Sequence, residues 1–270
     1  MLTKRIITGC ILITLMLVLL FFLSQYEFCF LISLITLGAA WEWSSLMEIK
    51  KIIWRFLYVV IIVSILFLIL FIPTWFIFIG SFVWWILAIP LILFYPKRST
   101  FWRKSIFWRG LMGICVLVPA WGALNFIRNQ NGGIYTLLFL FVLIWGADSA
   151  AYFVGKKWGS IKLIPHISPG KSLQGLLGAF IFSVVITLFT LWIYHVPFNV
   201  WLWAILLAFV TVLFSVIGDL FESMLKRQAG LKDSGHLLPG HGGLLDRVDS
   251  LTAAAPIFTL GAILLGMYLG

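Results

Sequence analysis

Acidic residues are scarce in this sequence, and most of them lie in its second half. Only nine of the 270 residues are Asp or Glu, while 63% of the chain is hydrophobic. A carboxylate within or beside an apolar segment is costly unless it has a partner or a function. Six of the nine fall between positions 148 and 249 and are the first candidates for chemistry: Asp148, Asp219, Glu222, Asp233, Asp246 and Asp249.

The densest group of polar residues precedes the last apolar run of the chain. Asp219, Glu222 and Lys226 share one helical face by their spacing, and Asp246 and Asp249 share another. Backbone N–H groups of glycines can approach phosphates closely, and the loop between the two faces contains Gly235, Gly240, Gly242 and Gly243. Carboxylates beside phosphate-binding lysines are electrostatically favourable only with a divalent cation between them, and oxygen ligands favour Mg²⁺. The alternative is a structural loop whose charges neutralise one another.

A second candidate phosphate site lies some 50 residues earlier. Gly170-Lys171-Ser172 resembles the end of a P-loop, but the glycine required five positions earlier is Pro165, and no strand precedes it. We therefore exclude a Walker A motif. Ser168 and the proline after it are typical of the cap and first turn of a helix. A helix N-terminus beside a lysine suits an anion, so we predict that Lys171 contacts phosphate.

Two histidines in the glycine-rich loop, His236 and His241, raise the question of zinc. The chain has no set of four Cys and His residues at zinc-binding spacing, so each histidine is predicted to be a hydrogen-bonding loop residue or a phosphate contact. The three cysteines are scattered in apolar segments and are interpreted as small core residues.

Membrane-spanning helices are the elements that must position these residues. Charged residues make up 10% of the chain, against about 25% in an ordinary soluble domain, and the mean hydropathy is +1.12. These values exclude a disordered chain, a coiled coil, a secreted disulfide scaffold and a typical cytosolic enzyme. We predict an all-α, polytopic integral membrane protein.

Runs of roughly 20 apolar residues, the length that spans a bilayer, occur about nine times. They lie near 6–23, 26–45, 53–71, 75–94, 110–127, 134–153, 174–194, 199–219 and 251–269. We divide the chain into 1–130, with about five spans, and 131–270, a catalytic region with cytosolic loops at about 154–173 and 220–250. Lys4 and Arg5 before an apolar run are typical of a signal peptide, but no cleavage site follows, so the first span is predicted to be uncleaved.

Asp148 is the carboxylate that this division places deepest in an apolar run, roughly two turns inside the sixth predicted span. It is interpreted as a ligand for a cation or a phosphate-bound metal. A buried hydrogen bond to a neighbouring helix is the alternative.

The basic residues predict the orientation. With a cytosolic N-terminus, 18 of the 19 Lys and Arg residues fall on the cytosolic side and only Arg128 falls outside. The net charge of +10 is therefore explained mainly by orientation, and no nucleic-acid partner is expected. The same alternation places the last predicted polar loop in the cytosol and the C-terminus outside.

Three motifs resemble those of the phosphatidate cytidylyltransferases, or CDP-diacylglycerol synthases. Ser223-x-x-Lys-Arg-x₄-Lys-Asp-x-Gly-x₂-Leu-Pro-Gly-His-Gly-Gly-x₂-Asp-Arg-x-Asp249 is similar to the signature of that family. Asp148-Ser-x-Ala-Tyr-x-x-Gly155 and Ser168-Pro-x-Lys-Ser172 match it as well. The first half agrees only in hydropathy and in Trp41-Glu-Trp43.

The resemblance implies that CTP and phosphatidate give CDP-diacylglycerol and pyrophosphate, with Mg²⁺. It also allows a dinuclear centre with a monovalent cation such as K⁺, and a homodimer is an expectation of the family. Family members commonly carry Glu at the position of Gln174. Either that Glu supports the site without touching substrate, or the activity of this chain is altered, and we favour the first.

Our hypothesis for the reaction is that a phosphatidate oxygen attacks the α-phosphorus of CTP, with no covalent nucleophile. Asp219 and Asp246 are the leading metal ligands, with Asp148 and Asp249 as additional candidates. The residues predicted to be catalytic are Lys226, Arg227, Lys232, Asp233, His241 and Arg247, of which the Lys and Arg residues would neutralise phosphates. The residues predicted to bind substrate are Ser168, Lys171, Ser223, Gly242 and Gly243.

Two rival functions remain at this level. A CTP-dependent kinase or nucleotidyltransferase acting on another lipid, such as a prenol phosphate, would use the same metal chemistry. A cation-coupled transporter predicts charges across several spans and often an inverted repeat, and neither is visible in the sequence. The expected partners are CTP, phosphatidate and membrane lipids, and the expected location is a bacterial-type inner membrane with the active site facing the cytosol.

Overall fold

The fold is a bundle of apolar helices with one small β-hairpin on its polar end. A computed structural model describes residues 14, 16–97, 99–235 and 242–266. The predicted site residue His241 and the end of the last predicted span lie outside the described residues. The described helices and strands are α1 (Gln25–Leu46), α2 (Ile52–Leu68), α3 (Thr74–Leu93), α4 (Thr100–Arg103), α5 (Ile106–Arg128), α6 (Gly133–Trp158), β1 (Lys162–Ile164), β2 (Ser168–Ser172), α7 (Leu173–Ile193), α8 (Trp201–Gln228) and α9 (Asp249–Leu264).

Serine caps define where several helices begin. Ser24 forms a capping box with Glu27 at the start of α1: the side chain of each residue hydrogen bonds with the backbone N–H of the other. Ser105 accepts from the N–H of Trp108 at the start of α5. These side chains satisfy N–H groups that have no partner within the helix.

The described helices agree with most of the predicted spans. Seven are long and apolar enough to cross a membrane: Gln25–Leu46, Ile52–Phe71, Thr74–Leu93, Ile106–Arg128, Gly133–Trp158, Leu173–Ile193 and Phe198–Gln228. They correspond to the second through eighth predicted spans. Half of the first prediction lies outside the described residues, and within it 14 and 16–22 are described and helical. The ninth corresponds to α9, which has 16 residues and a length of about 24 Å.

The short helix α9 lies in the middle of the bundle. It packs along α8 and also contacts α5, α3 and α6. Residues 250–260 are buried in an unbroken run, and Ala253, Ala254 and Ala255 let the neighbouring helices approach closely. Since the apolar core joins residues from both halves of the chain, the second half is packed against the first.

Small residues also bring α6 and α7 together. A Cβ atom added to Gly178 would lie 2.6 Å from Cγ2 of Val154, and one added to Gly175 would lie 2.8 Å from the carbonyl oxygen of Ala151. Real side chains are not found at such distances from their neighbours. The two helices therefore pack with their backbones in close approach, and they hold the β-hairpin that connects them.

The hairpin corrects one prediction about the start of α7. Ser168 and Pro169, predicted to cap the helix and form its first turn, lie in strand β2, which pairs antiparallel with β1. The cap is Ser172, whose hydroxyl accepts from the N–H of Gly175 at 3.2 Å. The strand continues to this point because Lys162 pairs with Ser172 and the N–H of Leu173 donates to the carbonyl of Ile161.

Candidate functional site

Four of the predicted metal ligands line one polar cavity of about 740 Å³. Asp148 comes from α6, Asp219 from α8, Asp246 from a 3₁₀ turn and Asp249 from the first residue of α9. The hairpin closes the cavity on a further side and contributes Lys171. Residues separated by up to about 100 positions in the sequence are thus brought to one place at the polar end of an apolar bundle.

Asp219 is held by two neighbours in the cavity wall. One carboxylate oxygen forms an ion pair with Nζ of Lys171 at 2.6 Å, and the other accepts from the Ser223 hydroxyl at 3.2 Å. The pair joins strand β2 to helix α8. The two side chains are 23% and 27% exposed, so both can reach a ligand that enters the cavity.

Asp246 is bound much more firmly, by one lysine and two backbone groups. Nζ of Lys226 lies 2.6 Å from Oδ1, while the N–H groups of Ser234 and Gly243 donate to Oδ2 at 2.9 and 2.8 Å. Burial alone would raise the pKa of Asp246, but the Lys226 ion pair and the two N–H donors outweigh it, so its pKa lies below the ordinary value. The carboxylate is therefore ionised at neutral pH.

Lys226, predicted to neutralise phosphates, is instead enclosed by two carboxylates. Its ammonium lies 3.0 Å from Oε1 of Glu222, one turn earlier on α8, as well as 2.6 Å from Asp246. It is buried and is not among the described residues that line the cavity. These contacts favour a positioning role that joins α8 to the segment before α9, and phosphate contact by Lys226 stays a prediction.

The other predicted cationic residues lie away from the cavity wall. The side chain of Arg227 donates from Nε to the carbonyl of Ile167 at 3.3 Å, which fastens α8 to the hairpin turn. Lys232, Asp233 and Arg247 are exposed, and within the described part of the chain none of them lines the cavity. The phosphate contacts predicted for Lys232 and Arg247, and the catalytic role predicted for Asp233, stay predictions.

Two lysines that were not predicted as site residues do line the cavity: Lys156, in the last turn of α6, and Lys162, in β1. Helical spacing could have identified the first of them, because positions 148, 152, 155 and 159 follow one another along one face of α6 and Lys156 lies beside it. With Lys171, they make the cavity basic on the hairpin side and acidic on the α8 and α9 side.

The predicted substrate-binding residues divide into two groups. Ser168 and Lys171 line the cavity. Ser223, Gly242 and Gly243 are not among the described residues that line it. Two of them support carboxylates instead: the Ser223 hydroxyl donates to Asp219, and the N–H of Gly243 donates to Asp246. Gly242 has a φ of +83°, a conformation that glycine adopts without strain.

Gln174 supports the hairpin from outside the cavity. Its Oε1 accepts from the N–H of Ile161 at 3.2 Å, and its Nε2 donates to the Ser160 hydroxyl at 2.7 Å. A neutral amide satisfies both groups, because it offers one acceptor and one donor. This geometry supports our interpretation that this position does not touch substrate.

A further residue that was not predicted as part of the site comes from the other half of the chain. Glu42 of α1 is 2% exposed, yet it accepts hydrogen bonds from the N–H groups of Leu244 and Leu245 and from the Ser234 hydroxyl. The only signal in the sequence was a carboxylate between two tryptophans in an apolar run. Such a residue needs a partner, but the sequence does not indicate which one.

The cavity offers the kind of oxygen donors that bind a divalent cation. Its described side chains do not form a complete coordination shell. Asp148 and Asp249 both lie near enough to Asp219 to interact electrostatically with it, and Ser250 lines the same cavity. Carboxylate oxygens are the ligands that Mg²⁺ prefers. Within the described residues, however, no three Asp, Glu, His or Cys side chains converge closely enough to hold a metal by themselves. The donor set suits a metal that is bound by a few carboxylates and takes its remaining ligands from water and from a phosphate substrate.

Comparison with known proteins gives similarity over almost the whole chain. Residues 3–264 match the model of the cytidylyltransferase family. The chain is 34% identical to a phosphatidate cytidylyltransferase of Haemophilus influenzae, over 96% of this chain and 98% of that protein. It is 40% identical to the protein of the same name from Pseudomonas aeruginosa, over 96% of each chain. A Staphylococcus aureus protein of that name is 40% identical over 52% of this chain and 53% of its own.

Proposed function

This chain belongs to the cytidylyltransferase family, and we propose that it transfers the cytidylyl group of CTP to phosphatidate, giving CDP-diacylglycerol and pyrophosphate. One observation carries the proposal: four aspartates and three lysines face a single cavity at the polar end of a strongly apolar helix bundle. A water-soluble triphosphate and a membrane lipid phosphate could meet there. The relatives that match 96% of the chain bear the name of this activity.

The reaction needs charge neutralisation and alignment more than a covalent enzyme intermediate. A phosphatidate oxygen forms a new bond to the α-phosphorus of CTP, and the bond from that phosphorus to the oxygen bridging to the β-phosphate breaks. Pyrophosphate carries away the electron pair of the broken bond. The phosphate monoester is already a nucleophile, so neither Ser nor His has to attack.

The lysines on the hairpin side of the cavity suit the phosphates of both substrates. Lys171 lies in β2, with Lys162 on the paired strand and Lys156 at the end of α6. Their positive charges would reduce the repulsion between two anionic substrates and would stabilise the charge that develops on the leaving pyrophosphate. Ser168 lies on the same wall and can donate a hydrogen bond.

Mg²⁺ belongs to the same proposal, with Asp219 as its principal ligand. Asp148 and Asp249 are the neighbouring carboxylates that line the cavity, and Asp246 lines it with one oxygen held by two backbone N–H groups. When bound, the cation would neutralise charge on the phosphates of CTP. The carboxylates would hold it, and the ion pair between Lys171 and Asp219 would have to open to admit it. A second, monovalent cation such as K⁺ and a homodimer stay predictions.

The membrane arrangement that we propose has nine spans, a cytosolic N-terminus and an active site that faces the cytosol across a bacterial-type inner membrane. Its support is the distribution of basic residues, 18 of 19 of which fall on one side when spans alternate. Membrane lipids would then surround the bundle, and phosphatidate would reach the cavity from within the bilayer.

In the decisive experiment, the purified protein is incubated with labelled CTP, with Mg²⁺ and with one lipid acceptor at a time. We expect label in a CDP-lipid with phosphatidate, one pyrophosphate released per CDP-lipid, no product after chelation with EDTA, and recovery when Mg²⁺ is added in excess. Polyprenyl phosphate and polyprenol form the competing arms. Transfer of cytidylyl to the polyprenyl phosphate alone, or release of CDP with phosphorylation of the prenol, would establish a different lipid enzyme.

A further inference from the structure

The segment between α8 and α9, described at 229–235 and 242–248 and called here the signature segment, is held by two carboxylates, of which one lines the cavity. Asp246 lines the cavity and holds the segment through Lys226 and through the N–H groups of Ser234 and Gly243. The second carboxylate, Glu42, is not among the described residues that line the cavity, and its helix α1 belongs to the N-terminal half of the chain. We call Glu42, Ser234, Leu244 and Leu245 the Glu42 clasp.

The geometry points to Glu42 as a positioning residue that sets the backbone of the signature segment and, through it, the place of Asp246. Glu42 Oε1 accepts from the N–H of Leu244 at 3.0 Å. Its Oε2 accepts from the N–H of Leu245 at 2.8 Å and from the Ser234 hydroxyl at 3.0 Å. All three donors come from residues about 200 positions away, so the contact depends on tertiary packing alone.

The clasp and Asp246 share the same short pieces of backbone. Ser234 donates its hydroxyl to Glu42 and its N–H to Asp246. Gly243 donates its N–H to Asp246, and the next two N–H groups donate to Glu42. Each carboxylate therefore fixes the peptide groups that orient the other. A shift in the clasp must displace the donors of Asp246.

Close packing around Glu42 explains two glycines of the motif. A Cβ atom on Gly235 would overlap the Glu42 carboxylate, and one on Gly243 would lie 2.6 Å from Oε2 of Glu42 and overlap the Ser234 hydroxyl. The sequence alone suggested that these glycines admit a phosphate. In the structure they leave room for the buried Glu42 carboxylate. A larger residue at position 235 or 243 would displace that carboxylate.

A carboxylate, rather than an amide, is needed at this position. Both oxygens of Glu42 act only as acceptors, and two of the three donors are backbone N–H groups that cannot reverse. Gln would place an NH₂ group against at least one of them and leave that buried N–H without an acceptor. Glu42→Gln is therefore a nearly isosteric substitution that breaks the clasp.

Hydrogen–deuterium exchange tests the clasp without reference to activity. In the full-length protein in detergent, we expect peptides covering 242–248 to exchange at least tenfold faster in Glu42→Gln than in the unsubstituted protein. Glu48→Gln is the matched control, because Glu48 is half exposed and pairs with Arg109 away from the cavity. Unchanged exchange in Glu42→Gln would overturn the proposal.

The positioning role rests on the proposed function and has its own readout. With CTP and phosphatidate, we expect kcat of Glu42→Gln to fall at least tenfold and the Mg²⁺ concentration for half-maximal activity to rise at least fivefold. Glu42→Asp, which keeps the charge, should recover part of both. Faster exchange with unchanged kcat and Mg²⁺ requirement would show that the clasp does not position the site, and would overturn this inference.

Two further outcomes keep the result decisive. If the unsubstituted protein forms no CDP-lipid, the proposed function fails, while the exchange experiment still decides the clasp. If Glu42→Gln cannot be recovered from membranes, Ser234→Ala removes one donor and leaves the carboxylate in place. It should speed exchange of 242–248 about threefold or more, and exchange equal to that of the unsubstituted protein would overturn the clasp.

Discussion

Asp219 and Lys171 form an ion pair that matters more for a ligand than for folding. Both side chains are about one quarter exposed, and pairs with this exposure contribute about 0–1 kcal/mol to stability. Lys226 and Asp246 differ, since their side chains are only 11% and 9% exposed. Removing one member of a buried pair costs about 3–5 kcal/mol because the other charge is left uncompensated. Substitutions of the two pairs should therefore have different consequences.

Asp219→Asn should remove activity and leave the protein folded. The amide keeps the shape of the side chain but loses the charge that we propose for holding Mg²⁺, so kcat should fall about 100-fold or more. Apparent Tm in detergent should change little. Turnover close to that of the unsubstituted protein, at saturating CTP and Mg²⁺, would remove Asp219 from the metal site.

Lys171→Ala should weaken the electrostatic stabilisation of the substrate phosphates. We expect kcat/KM, measured with CTP as the varied substrate, to fall about 100-fold. Lys157→Ala is the matched control. That lysine follows Lys156 in the last turn of α6, but its ammonium lies over the Trp158 ring and not on the cavity wall. Equal kinetic effects of the two substitutions would contradict a specific role for Lys171.

Lys226→Ala should lose stability as well as activity. It leaves Glu222 and Asp246 buried without their shared cation, so we expect a loss of about 3–5 kcal/mol, seen as a lower apparent Tm and a lower yield from membranes. Arg227→Ala, at the next position, is the control. It removes an exposed side chain that donates a hydrogen bond to the carbonyl of Ile167, so apparent Tm should stay within a few degrees. A normal Tm combined with lost activity in Lys226→Ala would instead support direct contact with phosphate.

At the scale of elements, the crossing of α8 and α9 determines the shape of the acidic wall. Gly218 of α8 lies against α9, and a Cβ atom added there would be 2.8 Å from Cβ of Ala253 and 2.8 Å from the carbonyl oxygen of Asp249. Asp219 follows Gly218 directly, and Asp249 begins α9. The close approach of the helices therefore sets the separation of two proposed metal ligands.

Gly218→Ala should separate these helices and reduce kcat at least tenfold. The added methyl group has no room, and overpacking of this kind costs about 1–3 kcal/mol, so apparent Tm should fall too. Gly80→Ala in α3 is the control, because its Cβ would meet nothing within 4 Å and alanine favours the helix. Full activity in Gly218→Ala would show that the crossing tolerates displacement.

At the scale of the whole molecule, the two halves of the chain form one structure. The main apolar core includes residues from α1 to α6 and from α8 and α9, and α9 is buried between helices of both halves. The residues of the signature motif depend on α1 for the Glu42 clasp. The boundary that we predicted at 130 therefore divides the sequence into a part with the motifs and a part without them. It does not divide the apolar core, which contains residues from both parts.

The proposed orientation can be tested by labelling single cysteines in intact cells. Asn131→Cys lies in the exposed turn between α5 and α6, and Lys97→Cys lies in the exposed segment after α3. In a background without the three native cysteines, a membrane-impermeant maleimide should label Asn131→Cys directly. It should label Lys97→Cys only after the inner membrane is opened, and the reverse pattern would invert the topology.

The sequence by itself determined the class of protein, most of the helices and the identity of the acidic residues at the cavity. These properties can be predicted because hydropathy depends only on residues that are neighbours in the sequence. A carboxylate in an apolar segment is also costly at any position, so it can be identified without a structure. The signature motif is contiguous, so it too could be recognised without a structure. Most helix lengths followed the apolar runs, but α6 continues to Trp158 and α8 to Gln228, beyond the predicted span ends at 153 and 219.

Only the tertiary structure decided which polar groups face each other. It placed Lys226 between two carboxylates, Lys156 and Lys162 on the cavity wall, and Ser168 in a strand. It also paired Glu42 with backbone groups some 200 positions away. The spacing of residues along one helix specifies a face but not the neighbour that the face meets. That neighbour is determined by how α1, α8 and α9 pack, because small residues allow close approach and an unpaired polar group is costly to bury.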